Sequence, residues 1–223
     1  CGGESPITVT YKGAPIITMK HPFWAANWSW AGATVHTKSL GDGKYSMYGE
    51  SRKLGLAIRG AASAKSDHVF EVRYKLVAAR ELKNIIGGGI EFRLDLKSDA
   101  LPKSLAKPEL LGDERGWRWS VAKDQALTVR FDPPVAKVYF ERNNPSTIRV
   151  MLVGESLAAG PHEVTMTIEL PKGGTMARSA AERYGPADVD NWLPNALSWA
   201  TTPVDVSFLN HKPAGRHGFI RAE

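Results

Sequence analysis

The chain has 223 residues, of which 43% are hydrophobic and 23% are charged, and its formal net charge is +6 at pH 7. These values fit one large folded β-domain, and no apolar run reaches the roughly 18 residues needed to span a bilayer. The single cysteine excludes an intrachain disulfide. The positive charge favours an acidic polymer as a partner. We nevertheless expect no nucleic acid among the partners, because the basic residues are scattered and no nucleic-acid-binding motif is present.

The start of the chain, Cys1-Gly2-Gly3-Glu4-Ser5, resembles the start of a mature bacterial lipoprotein. In such proteins the signal peptide is removed just before a cysteine that carries the lipid, and small polar residues tether the folded domain. The resemblance implies lipidation at Cys1 and a tether over residues 1–6. It also implies a lipid anchor in a bacterial cell envelope, with the domain facing the periplasm or the cell surface.

Three of the seven tryptophans, Trp24, Trp28 and Trp30, lie within seven residues. An indole ring is flat and apolar and still donates a hydrogen bond, so it suits the C–H face of a sugar ring or a half-buried core position. On an extended strand, Trp28 and Trp30 would point to one face. We predict Trp24, which lies in a less regular position beside Asn27, as the best exposed aromatic residue.

Strict alternation of apolar and polar residues predicts most of the strands. In His68–Leu76, Gly89–Leu96 and His162–Leu170 one face is apolar, which is typical of an antiparallel sheet with one wet face. Glu91 is expected on the wet face of its strand. Further strands are predicted at Ile7–Tyr11, on both sides of Gly41–Gly43, and at Trp117–Val121, Leu127–Phe131, Val135–Glu141 and Thr147–Val153.

Several segments lack this alternation. We expect a small-residue loop at Gly60–Ser66, a long excursion at Ser98–Asp113 and a short helix at Met176–Tyr184. Val204–Phe208 is a last strand candidate. Short strands spaced about ten residues apart indicate an all-β fold, an antiparallel β-sandwich of jelly-roll type. We place it at residues 7–172, followed by a wrapping segment and linker at residues 173–223.

Near the end of the chain, Asp205–Ile220 reads DVSFLNHKPAGRHGFI. This run resembles the segment that joins an N-terminal β-sandwich to the catalytic barrel in certain large bacterial glycoside hydrolases of the cellulase-like (β/α)₈ type. The resemblance implies that the chain is the accessory domain of such an enzyme. It also implies a downstream catalytic barrel in the same polypeptide.

The residues themselves give no catalytic motif. There is no GxSxG nucleophile and no His or Cys set with metal-ligand spacing. The Cα atoms of Glu91 and Asp95, four residues apart on one strand, would lie about 13 Å apart, which exceeds the carboxylate separation of glycosidases. We therefore expect no catalytic residue and no cofactor. A structural calcium ion held by backbone carbonyls and scattered carboxylates is compatible with a jelly roll.

These observations favour a non-catalytic carbohydrate-binding or structural accessory domain of a surface-anchored glycoside hydrolase. The expected ligand is a polysaccharide, with an acidic one favoured by the charge. Trp117 and Trp119 share a face with Val121 and are expected in the core, which leaves Arg118 facing outward. Two alternatives stay open: a jelly-roll polysaccharide lyase acting on acidic polysaccharide, and a purely structural spacer. The predicted carbohydrate-binding residues are Trp24, Asn27, Trp28, Trp30 and Arg118.

Overall fold

The computed structural model describes residues 7–41, 44–103, 107–142 and 144–177. The expected lipidation at Cys1, the strand candidate Val204–Phe208 and the segment Asp205–Ile220 lie outside the described residues. Within the described ranges, no helix has the length and apolar character that crossing a membrane would require.

Fifteen strands and one short 3₁₀ helix, Ala26–Trp28, form the described part of the chain. The strands are β1 (Thr8–Tyr11), β2 (Ala14–Lys20), β3 (Phe23–Trp24), β4 (Thr34–Gly41), β5 (Lys44–Ser51), β6 (Leu56–Ser66), β7 (Val69–Ala78), β8 (Gly87–Leu94), β9 (Glu109–Leu110), β10 (Gly116–Ala122), β11 (Gln125–Asp132), β12 (Lys137–Glu141), β13 (Asn144–Val153), β14 (Gly160–Glu169) and β15 (Gly174–Ala177).

The strands form two antiparallel sheets, which confirms the predicted all-β sandwich. The seven-stranded sheet has the order β12-β13-β8-β2-β1-β15, with β3 paired to the start of β8. The eight-stranded sheet has the order β4-β5-β6-β7-β14-β11-β10-β9. The chain crosses between the sheets after β3, β7, β8, β11, β13 and β14, whereas β4 to β7 form a meander of consecutive neighbours. The crossing after β3 is the one that builds the candidate site.

The core lies between the two sheets and is filled by the inward-facing residues of the alternating strands. Trp117 and Trp119 on β10 are completely buried, as predicted, and the ring of Phe92 on β8 packs edge-on against Trp117 at 5.2 Å between centroids. Each large side chain removed from water in this way contributes about 1.5–3 kcal/mol or more to folding. The apolar faces that the alternation predicts are buried in the same way, for example at Val72 and Leu76 on β7, Ile90 on β8 and Met166 on β14.

The predicted loop at Gly60–Ser66 is wrong, because these residues continue β6. That strand pairs with β5 from Leu56 to Ser63 and with β7 from Leu56 to Ser66. Strand formation here follows from the two neighbours, which satisfy the backbone hydrogen bonds of a segment with few large side chains of its own. The consequence is a central strand with small outward-facing residues.

The predicted helix at Met176–Tyr184 is wrong in its first two residues. Met176 and Ala177 belong to β15, which pairs with β1 and places Met176 opposite Val9. The seven-stranded sheet therefore extends to Ala177, past the predicted end of the sandwich at residue 172. The remainder of the predicted helix lies outside the described residues.

A buried histidine joins the two sheets. His21 follows β2 and is 4% exposed, and its Nε2 lies 3.3 Å from the hydroxyl of Tyr74 on β7. Burial lowers the pKa of His21 to about 4 and raises the pKa of Tyr74. Both groups are thus held neutral in the folded protein, because burial penalises the charged form.

The lowered pKa of His21 predicts a loss of stability at acidic pH. Between about pH 6.5 and pH 4 the unfolded chain binds a proton that the folded protein excludes, so the free energy of unfolding falls as the pH falls. The total loss across this window should be roughly 3 kcal/mol. The measurement is the free energy of unfolding from urea titrations at several pH values.

His21→Gln should flatten this pH dependence, whereas His68→Gln, which alters an exposed histidine, should leave it unchanged. Equal slopes for the wild type and His21→Gln between pH 6.5 and 4 would contradict the assignment.

Candidate functional site

The tryptophan stretch forms a closed loop between the two sheets, at the crossing from β3 to β4. The backbone N–H of Ala25 donates to the carbonyl of Ser29 at 2.8 Å, and the N–H of Ala31 donates to the carbonyl of Phe23 at 2.8 Å. Asn27 and Trp28 both have positive φ, 55° and 58°. Asparagine tolerates this left-handed region, but it is uncommon for a residue as large as tryptophan. Because of this tight turn, the backbone at Trp28 does not continue as an extended strand.

Trp24 is the buried centre of this loop, so the prediction that it is the best exposed aromatic residue is wrong. It is 8% exposed, yet it lies outside the continuous core between the sheets. The guanidinium carbon of Arg149 on β13 lies 4.8 Å from its ring centroid. Trp28 and Trp30 cover it from other directions, with ring centroids 5.7 Å and 5.9 Å away and near-perpendicular planes. We call these four residues the tryptophan cluster.

Trp28 and Trp30 are the solvent-facing members of the tryptophan cluster. They are 57% and 64% exposed, although each packs against Trp24 in an edge-to-face arrangement. Gly32 makes room for Trp30: a Cβ at Gly32 would lie 2.2 Å from Cζ2 of the Trp30 indole. The two exposed rings are thus held by packing against Trp24 while much of their surface remains in water.

Arg149 is anchored by acidic residues as well as by Trp24. Its Nη2 donates to Glu141 at 2.7 Å, and its Nε donates to Glu91 at 3.3 Å. Desolvation by burial acts to lower the pKa of Arg149, but the hydrogen bond with Tyr139 and the charges of Glu141 and Glu91 outweigh it and raise that pKa. The guanidinium is therefore permanently charged and already paired. Its role at the cluster is to hold Trp24.

Glu91 was expected on a wet face and is instead only 5% exposed. It lies opposite Arg149 in the pairing of β8 with β13, and it also accepts a hydrogen bond from Arg93 at 2.8 Å. Arg73 and Lys75 cannot pair with Glu91, because they belong to a strand of the other sheet.

The other two predicted site residues have different locations. Asn27 is exposed within the loop, next to Trp28. Arg118 is exposed on β10, near the β9 edge of the eight-stranded sheet, whereas the loop leads into β4 at the opposite edge. The structure therefore brings Trp24, Asn27, Trp28 and Trp30 together and leaves Arg118 apart. Alternation in Thr147–Val153 places Arg149 opposite the apolar face of its strand, but the sequence does not reveal which strand lies beside Trp24.

An open groove begins at Trp30 and extends over the outer face of β4, β5 and β6, with a volume of about 730 Å³. Lys53 borders the groove and donates to the hydroxyl of Ser29, while the hydroxyl of Ser51 donates to the carbonyl of Ala31. These two contacts fasten the loop to the last residue of β5 and to the turn that follows it. The exposed indole of Trp30 thus forms one wall of a groove whose floor is the eight-stranded sheet.

In the described ranges, no group of three or more His, Cys, Asp or Glu residues is placed to hold a metal ion. The structural calcium ion, which was expected to use backbone carbonyls as well as carboxylates, stays a prediction. No protein-family model matches the chain, and no curated protein matches it significantly.

The contact between Gly32 and Trp30 leads to a sharp prediction. Gly32→Ala should displace the Trp30 indole, because a Cβ cannot lie 2.2 Å from a ring atom. Since Trp30 is exposed, the ring can move at little cost in stability. We expect the near-ultraviolet circular dichroism from the coupled indoles to change, with thermal stability nearly constant. Gly112→Ala is the matched control, because a Cβ there meets no atom within 4 Å.

The burial of Trp24 predicts a different outcome for its removal. Trp24→Ala should lower the free energy of unfolding by about 3–5 kcal/mol, the usual cost of deleting a large buried aromatic side chain. Trp28→Ala should cost less, because that ring is mostly in water. Chemical denaturation of both variants checks the order, and equal losses would show that Trp24 is not the anchor of the cluster.

Proposed function

We propose that the chain is a non-catalytic carbohydrate-binding domain whose binding surface is formed by Trp28 and Trp30. The observation that supports this most directly is their exposure of 57% and 64% in fixed orientations around buried Trp24. A large aromatic ring held in water by a dedicated anchor and by a glycine at position 32 offers a flat apolar surface for a sugar ring. Simple core packing does not account for this exposure.

The surroundings of the two indoles supply polar partners for sugar hydroxyls. Asn27 is exposed beside Trp28, and its amide both donates and accepts hydrogen bonds. Lys53 lies next to Ser29 at the Trp30 end. Because Arg149 is already paired with two carboxylates, we assign it to positioning Trp24 and not to contacting the sugar. Affinity for a single sugar chain should be modest, since hydrated hydroxyls must be displaced.

We also propose the wider context that the two terminal resemblances imply. The start at Cys1–Ser5 supports a lipid anchor in a bacterial envelope, and Asp205–Ile220 supports a following glycoside hydrolase barrel. In that setting the domain would hold polysaccharide near the catalytic barrel.

The test is binding of the whole chain to a panel of soluble plant, algal and bacterial polysaccharides by affinity electrophoresis. Trp28→Ala and Trp30→Ala should each weaken binding by about 0.5–1.5 kcal/mol, taking aromatic pair contacts as a guide, which is up to about tenfold in Kd. Leu110→Ala is the control, because it removes an exposed apolar side chain on β9. Thermal stability is measured for every variant.

Three results would contradict the proposal. If no polysaccharide retards the wild type, the domain is better described as a structural spacer. If Trp28→Ala and Trp30→Ala bind as the wild type does, the surface lies elsewhere. If a polyuronate develops the ultraviolet absorbance of unsaturated sugar ends during incubation, the chain is a lyase and not a binding domain.

A further inference from the structure

The groove next to Trp30 owes its shape to the small residues of β6. The outward-facing side chains on either side of Arg59 are Ala57 and Ala61, whereas taller side chains stand on the neighbouring strands β5 and β7. A depression of about 270 Å³ between β6, β7 and β14 shares Arg59 with the groove. The groove and this depression together form a shallow channel on the outer face of the eight-stranded sheet, which we call the trough. Arg59 projects from it.

Aromatic surfaces line one side of this trough. His36 on β4 and Tyr48 on β5 are direct partners in the strand register, and their rings stack at 5.3 Å with an angle of 30°. Both side chains are exposed, and Tyr48 is 60% exposed. Trp30 borders the same groove. Each of the two stacked rings covers one face of the other, so the outer face of each is what the pair can offer to a sugar ring beyond the tryptophan cluster.

Arg59 differs from the neighbouring cations Arg52, Arg73 and Lys75, which form ion pairs, and from Lys53, which donates a hydrogen bond to Ser29. Arg52 pairs with Glu50, Arg73 with Glu71, and Lys75 with Glu163 at 3.3 Å. Arg59 lies between Tyr48 and Lys75 in the register, and none of the described residues forms an ion pair with it. A guanidinium presents a planar fork of donors that matches a carboxylate in two parallel hydrogen bonds.

We propose that this groove binds a polysaccharide that carries carboxylate groups, with Arg59 bonding a carboxylate while His36, Tyr48 and Trp30 contact the sugar faces. This inference rests on the proposed carbohydrate binding and names the class of sugar. From β4 to β6 the register row His36–Tyr48–Arg59 spans about 10 Å, two strand spacings. That length accommodates about two sugar units, of which one needs to be acidic.

The charge pattern around Arg59 favours a uronate polymer over a nucleic acid. Arg59 forms no ion pair with the described residues, whereas the neighbouring acidic and basic side chains pair with each other. A site with one free positive charge suits a polymer with about one negative charge per sugar unit and many hydroxyl groups. Double-stranded DNA carries one charge per about 1.7 Å of its axis. Glu50 and Glu163 line the same depressions, so such a density of phosphates would meet like charges, whereas hydroxyl groups could donate to these carboxylates.

The experiment compares a polyuronate panel, including polygalacturonate and alginate, with the carboxyl-reduced form of each polymer. Carboxyl reduction keeps the linkages and removes the charge. We expect the wild type to bind at least one polyuronate about tenfold or more tightly than its reduced form, because a charge-assisted bidentate contact is lost. Rising salt should erode this preference.

Arg59→Gln should abolish the preference for the acidic form and leave binding of the reduced form unchanged. Arg59→Lys, which keeps the charge and loses the fork, should show an intermediate preference. Arg118→Gln is the matched control, because Arg118 is an exposed arginine on the outer face of β10 in the same sheet, and it should behave as the wild type. Circular dichroism checks that each variant folds.

Equal binding of acidic and reduced polymers, an unchanged preference in Arg59→Gln, or tighter binding of double-stranded DNA than of any polyuronate would overturn the inference. If reduced polymers bind and acidic ones have no advantage, the proposed carbohydrate binding survives while the assignment of Arg59 fails. If no polysaccharide binds in either form, both fail together.

Discussion

The contact between Arg149 and Trp24 is the interaction on which the candidate site depends. A guanidinium removed from water is costly unless its charge is matched, and here Glu91 and Glu141 supply the match. With its charge paired in this way, the guanidinium can lie 4.8 Å from the centroid of an indole that is itself outside the core. Cation–π contacts of this kind are worth about 0.5–2 kcal/mol, depending on desolvation. The contact links a strand in the seven-stranded sheet to a loop that leaves that sheet.

The second constraint is the meander β4 to β7, which extends the eight-stranded sheet on one side. A wide sheet presents a broad outer face. How far that face is raised or lowered at each strand depends on the size of the side chains on the middle strands. Because β6 carries Ala57 and Ala61 on this face, the surface is lowest there, and Arg59 is the one long side chain between them. Because these residues are small, β6 lacks a clear alternation of apolar and polar side chains in the sequence. For the same reason it forms the floor of the groove.

The sequence was informative wherever burial on one face imposes a period of two. Val72, Tyr74 and Leu76 are buried as the alternation in β7 predicts, and Trp117 and Trp119 lie in the core for the same reason. A strand such as β6, whose residues 60–66 are mostly Ala, Ser and Gly, has no such period. Its strand state is decided by neighbours that local reading does not identify.

The candidate site was predictable in composition but not in geometry. The tryptophans in the sequence mark the segment that carries the exposed rings of Trp28 and Trp30, and Asn27 lies exposed beside Trp28. The prediction that Trp24 is exposed is wrong because Arg149, a residue 125 positions later, covers its ring, and the backbone at Trp28 is not extended because its φ is positive. Arg118 is a predicted site residue because it faces outward, but many other residues of the sheets also face outward. Whether Arg118 lies near the tryptophan loop depends on the order of the strands, which the sequence does not reveal.

Trp30 belongs both to the tryptophan cluster and to the groove, and this has a consequence for how a ligand would be held. Its indole packs against Trp24 and lies in close contact with Gly32, while its backbone pairs with Trp24 in an isolated bridge. A side chain that is already ordered loses little entropy when a ligand covers it, so more of the contact energy remains as affinity. Since the loop is also fastened to the end of β5 through Ser51 and Lys53, the indole and the groove form one preorganised surface. Under the proposed binding, a sugar chain that stacked on Trp30 would have its next units over β4 to β6, where His36, Tyr48 and Arg59 follow one another in the strand register.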